Sequence, residues 1–273
     1  MGRPTLRHKV VVITGASSGI GRDAALRFAQ RGAHVVIAAR RAELLDEVKV
    51  QIEREGGRAL AVPMDVTYRS QVEWLLGATL EHFGRADIWV NCAGLGMVAW
   101  FSDTTEAEFR RIFEVNAMGT FHGCQVALQQ MYRQGAGHII NVSSLAGRFA
   151  LPLNGAYAAA KHAVNAISQS VACELEGTPI RVSTVMPSLT DTPFFDAMVS
   201  KLPGRGDSVV QAMPVGRVGE AIVRCALRPR DQVVVAPLGR WLIVLAEVCP
   251  PVFRLVARRY LQVRAGDARP WQS

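Results

Sequence analysis

Residues 141–161 read NVSSLAGRFALPLNGAYAAAK, and this stretch decides the fold. Its pattern is a strand ending in two serines, a loop closed by the turn pair Asn154-Gly155, then a helix. Val164, Ile167, Val171 and Leu175 repeat at steps of three and four, and Gly177 and Pro179 stop the run. Tyr157 and Lys161 are four apart on that helix and share a face. Ser144 ends the preceding strand, where an open α/β sheet presents its ligands. A phenol, an ammonium and a hydroxyl thus converge on one small volume, the makings of a proton-transfer site. Free tyrosine titrates near pH ~10, and an ammonium one turn away is expected to lower that value. Lysine is scarce here: of 31 basic residues only Lys9, Lys49, Lys161 and Lys201 are lysines. A compact ammonium beside the tyrosine of an arginine-rich chain suits the tuning of a neighbour.

Outward from this stretch, strand and helix patterns alternate, as a parallel sheet with crossover helices requires. Strands are expected at 9–14, 34–39, 59–64, 86–91, 137–143, 180–186 and 232–236. Helices are expected from the glycine-rich turn to about 31, and at 43–55, 70–83, 105–134 in two parts, and 215–227. Trp74, Leu75 and Leu80 are assigned to the inward face of the helix at 70–83. The expected fold class is α/β, a Rossmann-like doubly wound parallel sheet of seven strands with helices on both faces. One domain spans residues 1–236, with an extension at 237–273.

The first strand runs into TGASSGIG at residues 14–21. Gly15, Gly19 and Gly21 sit between a good strand and a good helix, the context in which glycines let the backbone approach a pyrophosphate. Ser17 and Ser18 add hydroxyl donors. The second strand ends in IAARR, and no acidic residue stands from Val35 to Ala42 to hold a free ribose 2′-hydroxyl. Arg40 and Arg41 offer guanidinium groups suited to a 2′-phosphate, Arg40 the more because it directly follows the strand. The expected cofactor is therefore NADP(H). Asp65, ending the third strand, suits either the adenine amine or a turn cap.

Together these segments resemble the short-chain dehydrogenase/reductase family. The resemblance is carried by TGASSGIG, Asp65-Val66, NCAG at 91–94, Asn116 in EVNAMGTF, NVSS ending at Ser144, YAAAK at 157–161 and PSLTDT at 187–192. It covers about residues 7–236 and implies a catalytic tetrad of Asn116, Ser144, Tyr157 and Lys161. Tyr157 would be the acid/base and Ser144 would orient the substrate oxygen. Lys161 would bind the nicotinamide ribose and lower the phenol's pKa, and Asn116 would hold a water linking Lys161 to solvent. Cofactor contacts are implied at Ile20, Val66, Asn91, Ala93, Gly94, Pro187 and Thr192, besides Tyr157 and Lys161. Asn116, a poor helix-interior residue, also predicts a bend in its own helix. The chain departs from the family at Cys92, often asparagine, and at Ser188, usually glycine. The implied activity is hydride transfer between nicotinamide and a hydrophobic ketone or secondary alcohol. The alternative is an NADP(H)-binding sensor or scaffold without significant turnover.

Loops at 95–101, 145–153 and 188–206 supply expected pocket walls, among them Met97, Trp100, Phe149, Leu151, Phe194, Phe195 and Met198, with Pro203 to Gly206 as a mobile lid segment. The five cysteines are scattered without a C-x-x-C, so reduced thiols, no metal site and a cytoplasmic location are expected. A net charge of +8 is spread along the chain without stacking aromatics, which argues against nucleic acid. Beyond residue 237 the chain turns apolar, then basic, with prolines 250 and 251 between. Three roles stay open for it: capping the substrate mouth, packing on a second subunit, or peripheral membrane contact through residues 238–264. A homodimer or homotetramer, built partly on the helices at 105–134 and 155–176, is implied by the resemblance.

Overall fold

The computed structural model describes residues 5–195, 197–202 and 212–265, with backbone only for 262–265. The expected lid at 203–206 lies outside the described residues. Seven parallel strands form the central sheet: β1 Val10–Thr14, β2 His34–Ala39, β3 Arg58–Pro63, β4 Ile88–Asn91, β5 Gly137–Val142, β6 Ile180–Pro187 and β7 Gln232–Val235. Their order is β7-β6-β5-β4-β1-β2-β3. The chain starts mid-sheet, winds outward to β3, then returns to the other side of β1 at β4. That reversal opens a crevice beyond the ends of β1 and β4, where such sheets hold ligands.

Alternation along β1 shows why the sheet is covered on both sides. Val11 and Ile13 join one core with Ala24 and Phe28 of α1 (Gly19–Gln30), Leu45 and Ile52 of α2 (Ala42–Arg54) and Val218 and Ile222 of α7 (Val215–Leu227). Val10 and Val12 point oppositely, into a core with Leu75 of α3 (Arg69–Phe83), Met131 of α5 (Gly119–Gln134) and Ile167 of α6 (Gly155–Glu174). A strand buried on both faces reads as a continuous apolar run, and VVVIT does.

The expected helix at 105–134 comes in two parts. A Thr105/Glu108 capping box starts α4 (Glu106–Phe113), and one π turn, Glu114–Met118, carries the bend at Asn116 before α5 begins. Two local expectations need correction. Trp74 is exposed, because Val72, Leu75 and Thr79 define the buried face of α3. In the loop before α6 the left-handed residue is Leu153, at φ 70°, while Asn154 keeps φ −112° and its side chain donates to Pro152 O.

After β7 the chain forms α8 (Gly239–Val248) and α9 (Pro250–Ala265). Their inner faces pack on the 145–153 loop: Ile243 and Phe253 form a cluster with Leu145 and Phe149, and Phe149 meets Phe253 edge-on at 5.2 Å. Among the described residues no helix is long and apolar enough to cross a membrane.

Candidate active site

Tyr157 and Lys161 stand on the first two turns of α6, facing the end of β5. Lys161 is buried, its ammonium donates to Val142 O at 3.0 Å, and it lies 5.8 Å from the centre of the Tyr157 ring. The helix is locked to the serine loop from below. Ser143 Oγ donates to Lys161 O at 3.2 Å, and Asn165 Nδ2 donates to Gly147 O at 2.7 Å. Ser144 Oγ accepts from Ala146 N at 3.1 Å and neighbours the Tyr157 phenol. From the π turn, Asn116 Nδ2 donates to Ile112 O at 2.9 Å and to Leu95 O at 2.8 Å. Its Oδ1 accepts from Leu95 N at 3.4 Å. The space above Gly94 is bounded by Asn116 Oδ1, Lys161 Nζ and Phe194 Cε2, at 3.1, 3.8 and 3.8 Å from where a Cβ would stand. Ser144 is thus brought to Tyr157, Tyr157 to Lys161, and Lys161 and Asn116 to Gly94.

The electrostatics differ from the expectation for Tyr157. Burial pushes its phenol up to about 12, the Ser144 hydroxyl works against that rise, and the Lys161 ammonium does not reverse it. Burial also pushes Lys161 down to about 8, with Cys92 acting the other way. Desolvation disfavours the charged form of both groups, so their pKa values move apart. Cys92, itself pushed up to about 12 by burial, is a neutral thiol beside the ammonium.

The glycine-rich turn lies across the crevice. Gly15 has φ 70°, and a Cβ there would stand 2.7 Å from Ala93 Cα, so only glycine lets this turn touch the one after β4. Thr14 fastens the two turns together: its Oγ1 accepts from Cys92 N at 3.1 Å and from Ala93 N at 3.3 Å. Thr14 was absent from the expected site residues, although its place at the strand end was the available signal. Gly19 opens α1 beneath Thr192, whose Cβ is 3.2 Å from a Cβ placed on that glycine. Thr192 follows Pro187 at the end of β6. Ser188 there donates its N–H to Val235 O at 3.2 Å and is not among the described residues with positive φ. Serine therefore replaces glycine without backbone strain.

Arg41 is the guanidinium that reaches the turn, donating to Ser17 Oγ at 3.0 Å and Ser18 Oγ at 2.9 Å. Arg40 is exposed and acts on Asp65 at longer range. Asp65 caps its own turn, accepting from Thr67 N at 3.0 Å and Thr67 Oγ1 at 2.9 Å, with Arg111 at 3.7 Å. Burial would raise its pKa, but these partners hold it below the usual value. Val66 is buried, its side chain packed towards Gly119 and its carbonyl facing His122 Nδ1 at 3.1 Å. Ile20 is half-buried on α1. The Asn91 side chain lies inside the sheet, donating to Asn141 Oδ1 at 2.8 Å and accepting from Trp89 Nε1 at 2.9 Å. Only its backbone remains for a ligand.

The pocket walls divide. Phe194 stands over Gly94 and Gly96, its ring 6.1 Å from that of Tyr157, with Met198 beside it. Phe149 instead anchors α9, and Met97 is buried in a core cluster with Ala156 and Ala160. Among the described residues no group of acidic, histidine or cysteine side chains is arranged to hold a metal ion.

The residues present fit a dinucleotide. Glycines 15 and 19 stand at the N-terminal end of α1, two serine hydroxyls and Arg41 lie beside them, and Gly94 lies under Asn116 Oδ1 and Lys161 Nζ. A model of the short chain dehydrogenase family matches residues 9–202. An uncharacterized oxidoreductase of Staphylococcus epidermidis is 37% identical over 188 residues, covering 69% of this chain and 80% of that protein. The crystal structure of a short chain dehydrogenase/reductase from Burkholderia phymatum in complex with NAD superposes with a TM-score of 0.83 at 26% identity, over 98% of this chain and 99% of that one. An alcohol dehydrogenase from the archaeon Thermococcus sibiricus, complexed with 5-hydroxy-NADP, gives a TM-score of 0.74 at 28% identity, over 84% and 96%. The chain belongs to the short-chain dehydrogenase family and is an oxidoreductase that works with a nicotinamide cofactor.

Proposed function

We propose that the chain is an NADP(H)-dependent oxidoreductase that moves a hydride between nicotinamide and the carbon of a hydrophobic ketone or secondary alcohol. One observation carries the reading: the Ser144 hydroxyl meets the Tyr157 phenol, the Lys161 ammonium lies 5.8 Å from the Tyr157 ring, and Lys161 Nζ and Asn116 Oδ1 close over Gly94. The bound cofactor supplies or accepts the hydride. The protein's own task is then to hold the substrate oxygen and to move one proton.

Ser144 orients that oxygen with its hydroxyl, and Tyr157 gives it a proton as the carbonyl carbon is reduced, or takes one back in oxidation. A phenol pushed up to about 12 stays protonated at neutral pH. It releases its proton only to an oxygen that has gained charge, which suits the reducing direction. Lys161 stabilises the resulting phenolate and binds the nicotinamide ribose, while Asn116 holds the proton path to solvent. Arg41, with Ser17 and Ser18, receives the adenosine 2′-phosphate, and Asp65 lies within reach of the adenine. Phe194, Met198 and Trp100 give the substrate side its apolar character. The alcohol dehydrogenase likeness supports the C–OH/C=O chemistry.

Replacing Tyr157 by Phe removes the proton but keeps the ring. We expect kcat to fall by about 10²–10⁴ on a ketone found by screening for NADPH oxidation, with cofactor affinity unchanged. Turnover equal to wild type would refute the assignment.

A further inference from the structure

The outer faces of α8 and α9 carry a row of exposed apolar side chains. Of 13 large hydrophobic side chains exposed among the described residues, seven lie between Leu238 and Val256. Trp241, Val244 and Val248 repeat at steps of three and four along α8, and Val252, Leu255 and Val256 do so along α9. Trp241 is 73% exposed, Val248 78% and Leu255 66%, values at odds with a face meant for water. The inner faces are already used, since Ile243 and Phe253 hold the 145–153 loop. The stripe is therefore not the unfinished edge of a core.

Charge chooses the occupant. Exposed Arg240, Arg254, Arg258 and Arg259 flank or interrupt the stripe and form no ion pair with the described residues. The one acid in residues 238–261, Glu247, is already paired with Arg148. A second copy of this chain, itself carrying +8, would bring a like set of arginines against this one. An anionic bilayer surface meets both features: apolar side chains and an indole enter the interface, and guanidinium groups meet phosphates. Neither helix is long enough to span, so the contact is one of lying on the surface. We propose that α8 and α9 dock the protein on anionic membranes through Trp241, Val244, Val248, Val252, Leu255 and Val256, with the four arginines supplying the electrostatic part.

The test is flotation of the full chain with vesicles of phosphatidylcholine, with and without phosphatidylserine, at low and high salt, alongside light scattering. The wild type should float with the serine lipid and lose binding as salt rises. Trp241→Ser with Leu255→Ser should cut binding at least about tenfold. Arg254→Gln, Arg258→Gln and Arg259→Gln together should cut it on the order of a hundredfold and flatten the salt dependence. Trp74→Ser, on the exposed face of α3, should change nothing. These positions are exposed, and far-ultraviolet circular dichroism should show each variant folded. The proposal is overturned if the wild type stays unbound, or if Trp74→Ser weakens binding as much as the stripe variants. It is overturned equally if light scattering shows copies associating through this face, with the stripe variants separating them.

Discussion

Tyr157 and Lys161 sit where charge is costly, and the two pay for burial in opposite senses: the phenol goes up to about 12 and the ammonium down to about 8. Kinetics separates them. The kcat/KM for the cofactor reports groups of the free enzyme, so its alkaline limb should fall near pH 8 as Lys161 loses its proton. No second limb should follow below about pH 11, because Tyr157 still holds its own. A pH profile of NADPH oxidation checks this, and Lys161→Arg should move the limb upward. A second buried base acts on stability. His138 meets Ser183 Oγ at 2.8 Å through Nε2, its Nδ1 has no partner among the described residues, and burial takes its pKa from 6.5 to about 4. Between those values the unfolded chain holds a proton that the folded one refuses. The contribution is complete above about pH 6.5 and is lost as pH falls towards 4. At about 1.4 kcal/mol per pH unit this reaches up to about 3 kcal/mol. Urea titrations across that window should show wild type losing more than His138→Gln by that order.

The turn after β1, the π turn before α5 and the loop before α6 each place one part of the site, and their tolerances differ. Alanine at Gly15 would need both φ 70° and space 2.7 Å from Ala93 Cα. Gly15→Ala should therefore weaken NADPH by more than about tenfold, since the two turns must separate. Calorimetric titration reads it directly. Phe253→Ala leaves the cofactor crevice alone but removes the ring packed on Phe149, at about 3–5 kcal/mol for a well-packed aromatic. The loop between Ser144 and Tyr157 loosens, so KM for the ketone should rise while NADPH affinity holds. The glycine-rich turn and the Tyr157 to Lys161 spacing were legible in the sequence, because period and turn chemistry are local properties. So was the bend at Asn116, a residue ill suited to a helix interior. Contacts between distant segments were not legible. Phe149 reads as a pocket wall until α9 is seen against it. Arg40 reads as the closer guanidinium until Arg41 is found on Ser17 and Ser18. Tyr157 looks acidified by its neighbour until the depth of its site is known.

At the scale of the molecule, the return of the chain from β3 to β4 places the N-terminal end of α1, Arg40 and Arg41 on one side of a single crevice, in a protein of net charge +8. On the proposed reading, a dinucleotide anion approaches a field of its opposite sign, and its adenosine end would meet these guanidinium groups. NADPH differs from NADH by a 2′-phosphate, so the ratio of their affinities isolates what these arginines contribute from what the shared pyrophosphate receives. A charge-assisted hydrogen bond contributes about 1.5–3 kcal/mol. Arg41→Ala should therefore shrink the NADPH-over-NADH ratio by about tenfold or more, leaving NADH nearly untouched. Arg40→Ala should shrink it less, because its side chain is exposed and acts on Asp65 only at longer range. Screening reaches about 10 Å at 0.1 M salt. Raising salt should thus reduce the ratio in wild type and scarcely alter it once Arg41 is gone. Fluorescence titrations of both cofactors at two ionic strengths give the four numbers needed for each protein. A ratio near one in wild type at low salt would remove the 2′-phosphate from the role of Arg41 and leave the chain without a preference between the two cofactors.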